Sequence, residues 1–249
     1  MNFAESLGVQ SFCFRGVEKH EDVIARVKEC GLSKIELCQK HVDFANESIF
    51  ESVINLYKKA GVEIVSIGVQ GFAADEAKEE KFFKFAKMAG AKFMSASFNV
   101  NKVPQAFRVA EKLAGKYGIR LGIHNHGGKH WLGSSEMLRN VFANTNDHIG
   151  LCLDTAWALD SREDPLKWVK DFAKRLYGVH VKDFIFDRAR KPEDVVVGTG
   201  NLNLPALLAA LKEVNFDGYF VLEYEGDVNN PAPAVKQCVE AVRKAAANV

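Results

Sequence analysis

The chain is short of the features that mark several large protein classes. Its five cysteines, Cys13, Cys30, Cys38, Cys152 and Cys238, are scattered and form no C-x-x-C pair. That argues against both a disulfide framework and a thiolate zinc site, and the thiols are expected to be reduced and packed. Prolines number only 6, and no Pro/Gly/Ser-rich stretch interrupts the 249 residues, so a single domain over 1–249 is expected. Excess charge of either sign is absent: 33 Lys and Arg stand against 32 Asp and Glu. A protein that binds by neutralising phosphates needs a broad basic surface, so no nucleic-acid partner is expected. No apolar run approaches the roughly 20 residues of a membrane span. The opening Met-Asn-Phe-Ala-Glu-Ser has no basic-then-apolar leader pattern, which predicts a cytoplasmic protein with no membrane partner. No G-x-G-x-x-G follows the first strand-like segment, which weighs against a dinucleotide-binding open sheet.

What is present is a regular alternation. Strand-like runs are predicted at Leu7 to Phe14, Lys34 to Cys38, Glu63 to Val69, Lys92 to Phe98, Arg120 to His124, Gly150 to Asp154, Leu176 to Val181 and Tyr219 to Tyr224. Amphipathic helical segments follow them at Glu21 to Cys30, Ser48 to Ala60, Asp75 to Ala89, Val103 to Tyr117, Ser134 to Ala143, Pro165 to Lys174, Leu204 to Val214 and Ala232 to Ala247. Gly31, Gly61, Gly90 and Gly118 each sit where a helix C-cap would use glycine, directly before the next strand. Eight such units at this length predict an α/β fold, a (β/α)8 TIM barrel.

In a βα barrel the chemistry lies at the carboxyl ends of the strands. Four strings end there on a polar group: Leu121-Gly-Ile-His-Asn-His126, Ile149-Gly-Leu-Cys-Leu-Asp154, Leu176-Tyr-Gly-Val-His180 and Tyr219-Phe-Val-Leu-Glu223. Strand side chains alternate between faces, so His124 and His126 share one parity with Gly122, Asp154 shares it with Cys152, and His180 with Gly178 and Lys182. Leu121, Ile123, Asn125, Leu151, Leu153, Val179, Val181 and Leu222 take the other, helix-covered parity. Two imidazoles and two carboxylates form a mixed nitrogen and oxygen set, so His124, Asp154, His180 and Glu223 are the predicted ligands of a divalent metal ion. Manganese is put first, with cobalt, zinc, iron and magnesium as alternatives. Such an ion polarises a carbonyl and its neighbouring hydroxyl, which eases removal of the adjacent C–H proton. Glu223 is the expected base and His124 an imidazole acid, with Lys182 placed to neutralise developing oxyanion charge.

Alternatives stand beside several of these positions. His126 and His130 compete with His124 for the metal. Otherwise His126, His130, Trp157, Lys182 and Glu36 are expected to contact substrate, with Glu36 also placed to orient a ligand. Lys182 and Asp183 are equally readable as a solvated strand end. Trp131, Phe12, Phe14 and Phe184 read as packing residues, and Glu225 and Asp227 as loop charges. The Gly198-Thr-Gly200 string lacks the Lys-Ser/Thr of a phosphate loop, so it reads as a turn before a helix capped by Asn201 or Asn203.

Four strings together resemble a known family: L-D-T at Leu153 to Thr155, V-H-V-K-D at Val179 to Asp183, G-T-G-N-L-N-L-P-A-L-L at Gly198 to Leu208, and D-G-Y-F-V-L-E at Asp217 to Glu223. They are similar to the xylose isomerase-like TIM barrels, the sugar phosphate isomerase/epimerase superfamily, along the whole chain and most sharply after residue 119. The resemblance implies metal ligands Glu, Asp, His and Glu at the ends of the fifth to eighth strands, which places Asp154, His180 and Glu223 on three of them. At the fourth this chain reads His124-Asn-His126, and Trp157 stands where a D-T-x-H histidine would be. The lost glutamate is one of the two acid/base carboxylates of the family's ketose epimerases, whereas a histidine-rich fifth strand is similar to the inosose dehydratase branch.

The expectation is therefore a metal-dependent isomerase or epimerase of a small sugar, keto-sugar or related polyol. It would work by proton abstraction next to a carbonyl and a metal-stabilised enediolate. The alternative is a dehydratase, a lyase acting on a keto-polyol with the same site. A DNA repair nuclease of the endonuclease IV type, which shares the fold, is disfavoured by the ligand count and the neutral charge. The expected partner is a small carbohydrate, in a chain able to form a homo-oligomer as barrels of this family commonly do.

Overall fold

The computed structural model describes residues 1–249 and places eight parallel strands in a closed ring. They are β1 (Leu7–Gln10), β2 (Lys34–Leu37), β3 (Glu63–Phe72), β4 (Phe93–Phe98), β5 (Arg120–His124), β6 (Ile149–Asp154), β7 (Leu176–Val181) and, after an antiparallel hairpin of β8 (Asp183–Phe186) and β9 (Pro192–Val195), β10 (Tyr219–Leu222). The ring closes where β1 runs parallel to β10, with Val9 opposite Leu222. Helices separate the strands, so the (β/α)8 architecture expected from the alternation is the observed one.

The glycine punctuation has a conformational cause. Gly31, Gly61, Gly90 and Gly118 all have φ between 68° and 79°, a region that costs a residue with Cβ about 1–2 kcal/mol. Each lets the chain leave a helix and turn directly into the next strand.

Parity divides the ring into an apolar jacket and a two-storey interior. Leu121, Ile123, Leu151, Leu153, Val179, Val181 and Leu222 point outward and are completely buried beneath the helices. Burial of each such side chain contributes about 1.5–3 kcal/mol. Inside, Cys152, Tyr219 and Val221 pack with Val65 and Phe93 into a plug across the lower storey. Glu36, Ser95, His124, Asp154 and His180 lie above it, all buried. The plug closes the barrel from below, so the polar storey opens only at the carboxyl ends of the strands.

Several boundaries differ from expectation for local reasons. The first strand stops at Gln10, whose side-chain Oε1 accepts the Phe12 N–H at 3.2 Å and starts the 3-10 turn Ser11–Phe14. A helix at Thr155–Asp160 was not expected; its N-cap is Asp154 itself, and six residues carry too little periodicity to be read. The β8–β9 hairpin was also unforeseen, because D-R-A-R-K-P-E-D has no apolar alternation. Its turn is held by the Lys191 N–H on Asp187 Oδ1 at 2.9 Å and by Arg190 at φ 65°, with the guanidinium 3.9 Å from the Phe186 ring centroid.

Asp183 corrects the solvated strand-end expectation. Fully buried, it accepts the N–H groups of Gly198 and Gly200 at 2.9 Å and of Leu202 at 2.8 Å. The G-T-G-N-L string is thus a loop wrapped round a carboxylate, and the following helix, Leu204–Glu213, is capped by Asn203, whose Oδ1 accepts the Ala206 N–H.

Candidate metal centre

His124, Asp154, His180 and Glu223 converge above the plug. One ligand atom from each lies within 4.8 Å of all the others. His124 Nε2 stands 3.5 Å from both Asp154 Oδ2 and Glu223 Oε2, and His180 Nδ1 is 3.1 Å from the same Glu223 oxygen. Four inward positions on four strands of one closed ring are thereby turned into a single cluster.

The neighbours of the cluster fix its shape. Asp154 Oδ1 accepts the Trp157 N–H at 2.8 Å, which leaves Oδ2 to face His124. Asn125, on the outward parity, clamps the Asp154 backbone through bonds of 2.8 and 3.0 Å to its N–H and carbonyl. Thr155 Oγ1 reaches across to Lys182, accepting its N–H at 3.0 Å and bonding its carbonyl at 2.6 Å, and so ties the end of β6 to β7. Glu36, fully buried on β2, crosses the barrel interior to His180 Nε2 at 3.0 Å, while its other oxygen accepts from Ser95 Oγ. A carboxylate on the far nitrogen of an imidazole sets ring orientation and raises basicity, the arrangement typical behind a metal-bound histidine. Of the two roles open to Glu36 in the sequence, orienting a ligand fits this geometry and contacting substrate does not. Gly68 on β3 leaves it room, since a Cβ there would sit 1.7 Å from Ser95 Oγ and 2.8 Å from Glu36 Oε1.

The residues fit a divalent cation on two counts. Both nitrogens of His124 and Asp154 Oδ2 are buried with no hydrogen-bond partner, and orphaned polar atoms of this kind are costly unless something else satisfies them. The cluster also draws positive charge. Burial alone would depress the His124 imidazole, yet the Asp154 and Glu223 carboxylates 3.5 Å from its Nε2 hold its pKa above the ordinary value. His180 behaves alike: burial opposes its charging, and Cys152, Glu36 and Glu223 overcome it. Burial would lift Glu223, but Lys182 and His180 hold it well below the usual carboxylate range.

A cavity of about 350 Å³ opens over the cluster, with His124, Glu223, His126, Trp157, Phe12 and Glu225 in its wall. His126 is exposed there, its ring 5.2 Å from that of His124. His130 is one ring further out, 5.6 Å from His126, and its Nδ1 accepts the Leu132 N–H at 3.3 Å, so it belongs neither to the cluster nor to the cavity wall. Lys182 is completely buried beside the cavity instead of in its wall. Its ammonium pairs with Glu225 and with Asp194 of β9 at 3.4 Å, and stands 5.5 Å from the Trp157 and Phe184 ring centroids. Burial opposes that charge, and Glu223, Asp154 and these two partners stabilise it. Trp131 packs, giving its indole N–H to the Phe98 carbonyl.

Asp194, Gln10 and Gln39 were passed over in the sequence, and Phe12 and Glu225, read there as a packing residue and a loop charge, stand in the cavity wall. A search for ionisable groups at strand ends does not find amides, and nothing in a charged loop tells which carboxylate folds back.

A hollow of about 530 Å³ between Ile54 and Met88 lies at the opposite, amino-terminal end of the barrel and gathers no cluster of ligating groups.

Comparison with known proteins follows the same lines. Inosose dehydratase of Clostridium perfringens is 22% identical over 202 residues, covering 74% of this chain and 63% of that protein. The chain spans less than two thirds of the length of the first curated relatives it matches. The crystal structure of the 3-keto-D-glucoside 4-epimerase YcjR from E. coli superposes with a TM-score of 0.72 at 18% identity, over 96% of this chain and 99% of that one. The IOLI protein with a bound zinc atom gives 0.76 at 15%, over 98% of both chains. At these identities the two structures establish the fold alone. The family model for the xylose isomerase-like TIM barrel matches residues 99–245, and with the closed ring of eight parallel strands it means that this chain belongs to the xylose isomerase-like TIM barrel family.

Proposed function

We propose that the protein is a divalent-metal enzyme that removes the proton next to the carbonyl of a small keto-polyol and completes the reaction as a dehydratase. The observation that carries this is the buried set His124, Asp154, His180 and Glu223, with orphaned nitrogen and oxygen atoms turned toward one another under an open cavity. A cation held by these four would polarise a substrate carbonyl and the hydroxyl beside it.

The chain's own groups divide the remaining work. Glu223, kept ionised by Lys182 and His180 and present in the cavity wall, takes the C–H proton. His126, in the same wall, is kept neutral by burial and by the neighbouring His124, its pKa lowered to about 4, so it holds the departing hydroxyl by a hydrogen bond while the proton taken by Glu223 passes to that hydroxyl and leaves with it as water. Lys182, with Glu225 between it and the cavity, supplies fixed positive charge behind the site. Phe12 and Trp157 wall the cavity with apolar surface suited to the C–H faces of a polyol. Sequence reasoning put isomerisation or epimerisation first. Two points favour elimination: a histidine stands at the end of β5, and several curated relatives are inosose dehydratases. Isomerisation of a keto-sugar through the same first step is the second reading, favoured by the fold shared with the 3-keto-D-glucoside 4-epimerase.

The test pairs metal content with product analysis. Untagged protein is expected to carry about one equivalent of a divalent metal and to convert an inosose in heavy water with loss of water and growth of a conjugated absorbance. Glu223→Ala is expected to lose the metal and about a hundredfold to ten-thousandfold of the rate. Deuterium incorporation without loss of water would select isomerisation, and wild-type protein that takes up no metal on reconstitution would end both.

A further inference from the structure

The β1–β3 side of the mouth has no role so far. Here the wall is built by Gln10, Gln39 and the Gly68–Val69 backbone. Gln10 is 1% exposed and acts as a brace: its Nε2 donates to the Gly68 carbonyl at 3.1 Å, and its Oε1 accepts the Phe12 N–H. Gln39 reaches the cavity and is exposed to it, while its Nε2 donates at 2.9 Å to Oε1 of Gln70, which is fully buried. That bond uses one N–H of Gln39 and leaves its other N–H and its carbonyl oxygen free, one donor and one acceptor at a fixed place. A vicinal hydroxyl pair asks for that combination.

The charges around it point the same way. The Lys182 ammonium, behind the wall, is held by Glu225 and Asp194, and the one lysine in the wall, Lys40, is exposed. No arginine lines the cavity, so the forked donor that matches phosphate or carboxylate is missing.

We propose that Gln39, held by Gln70, recognises hydroxyl groups on the substrate carbons remote from the reacting one, and that the site selects an uncharged polyol over its phosphorylated form. This rests on the keto-polyol chemistry proposed above. Gln39 is a binding and specificity residue; Gln70 acts through it and is a positioning residue.

The experiment uses the full-length, metal-reconstituted protein with three probes: an inosose for turnover, and myo-inositol and an inositol monophosphate for equilibrium binding by calorimetry. Gln39→Leu is expected to raise KM for the inosose about tenfold and to weaken myo-inositol binding by a similar factor, with kcat changed less than about twofold. Gln70→Leu moves KM in the same direction, and Gln70→Glu, which keeps an acceptor for Gln39, restores it. A deoxy-inosose lacking a hydroxyl opposite the carbonyl is expected to bind wild type about as weakly as Gln39→Leu binds the inosose, and the variant no longer distinguishes the two. The inositol monophosphate is expected to bind wild type at least about tenfold more weakly than myo-inositol.

A Gln39→Leu protein with wild-type KM and undiminished discrimination overturns the inference while the reaction stands. Inositol monophosphate binding as tightly as myo-inositol overturns its charge selectivity. Wild type that binds myo-inositol in the expected pattern without turning over the inosose supports the inference and removes the proposed reaction. No polyol binding at all removes both.

Discussion

Strands β5, β6, β7 and β10 bring two imidazoles and two carboxylates to the mouth of the barrel, and β1, β2 and β3 bring amides from Gln10, Gln39 and Gln70. Both sets sit at the same height in the same ring, so their surroundings differ less than their chemistry does. On the ionisable side the groups compete. His124 is left without a hydrogen bond, and the charges of Glu223 and Lys182 are tolerated underground because each has a partner of opposite sign. On the amide side Gln10 and Gln39 are fixed by ordinary hydrogen bonds between uncharged groups. On the proposed function, the crowded charges would hold the cation and carry the reaction, and the amide wall would read shape and hydroxyl pattern.

Crossing the two halves is the strongest way to break this division. Glu36 sits on the amide side and serves the other. Glu36→Gln is expected to weaken metal affinity about 10- to 100-fold, as losses behind a ligating histidine do, measured by competition with a chelator dye. Unchanged affinity would mean that His180 needs no help from across the barrel.

Lys182→Met sharpens the comparison within the ionisable side. It strands Asp194 and Glu225 beside an aromatic pair, and is expected to cost about 3 kcal/mol of unfolding free energy, read from urea melts. A loss under about 0.5 kcal/mol would place Lys182 among dispensable surface charges.

The smallest effect separates the halves by the sign of their response to pH. His41, on the β2 side, has its pKa lowered by burial, against bonds to the Val17 and Phe14 carbonyls. The unfolded chain then binds the extra proton, so this contribution is full above about pH 6.5 and is lost as pH falls through the folded value. His124 and His180 have raised values, so in metal-free protein theirs is full below about pH 6.5 and is lost as pH rises through the folded values. In chelated protein, His41→Gln is expected to flatten the decline in urea midpoint between about pH 7 and pH 5; a slope identical to wild type would reassign that decline to other groups.

Much of this was legible in the chain. The period of two in Gly-Ile-His and Leu-Cys-Leu-Asp gave the face, and the glycine before each strand gave the repeat, so the barrel and the convergence of His124, Asp154, His180 and Glu223 followed. What escaped notice had no local signature. Whether His124, His126 or His130 enters the cluster depends on where a loop folds. Lys182 and Asp183 look like a wet strand end until a hairpin and the 198–202 loop bury them. Gln39 is held by Gln70, 31 residues away.

The reach of Glu36 has a consequence for assembly. All four clustered residues come from the stretch after residue 123, yet the ring of His180 is oriented by β2, which is no neighbour of β7 and meets it only through the closed interior. A fragment beginning near residue 99 would contain every clustered side chain and still lack an oriented set. An ion held by this set would require the completed circle, and would serve during folding as a late latch on closure and not as a seed for it.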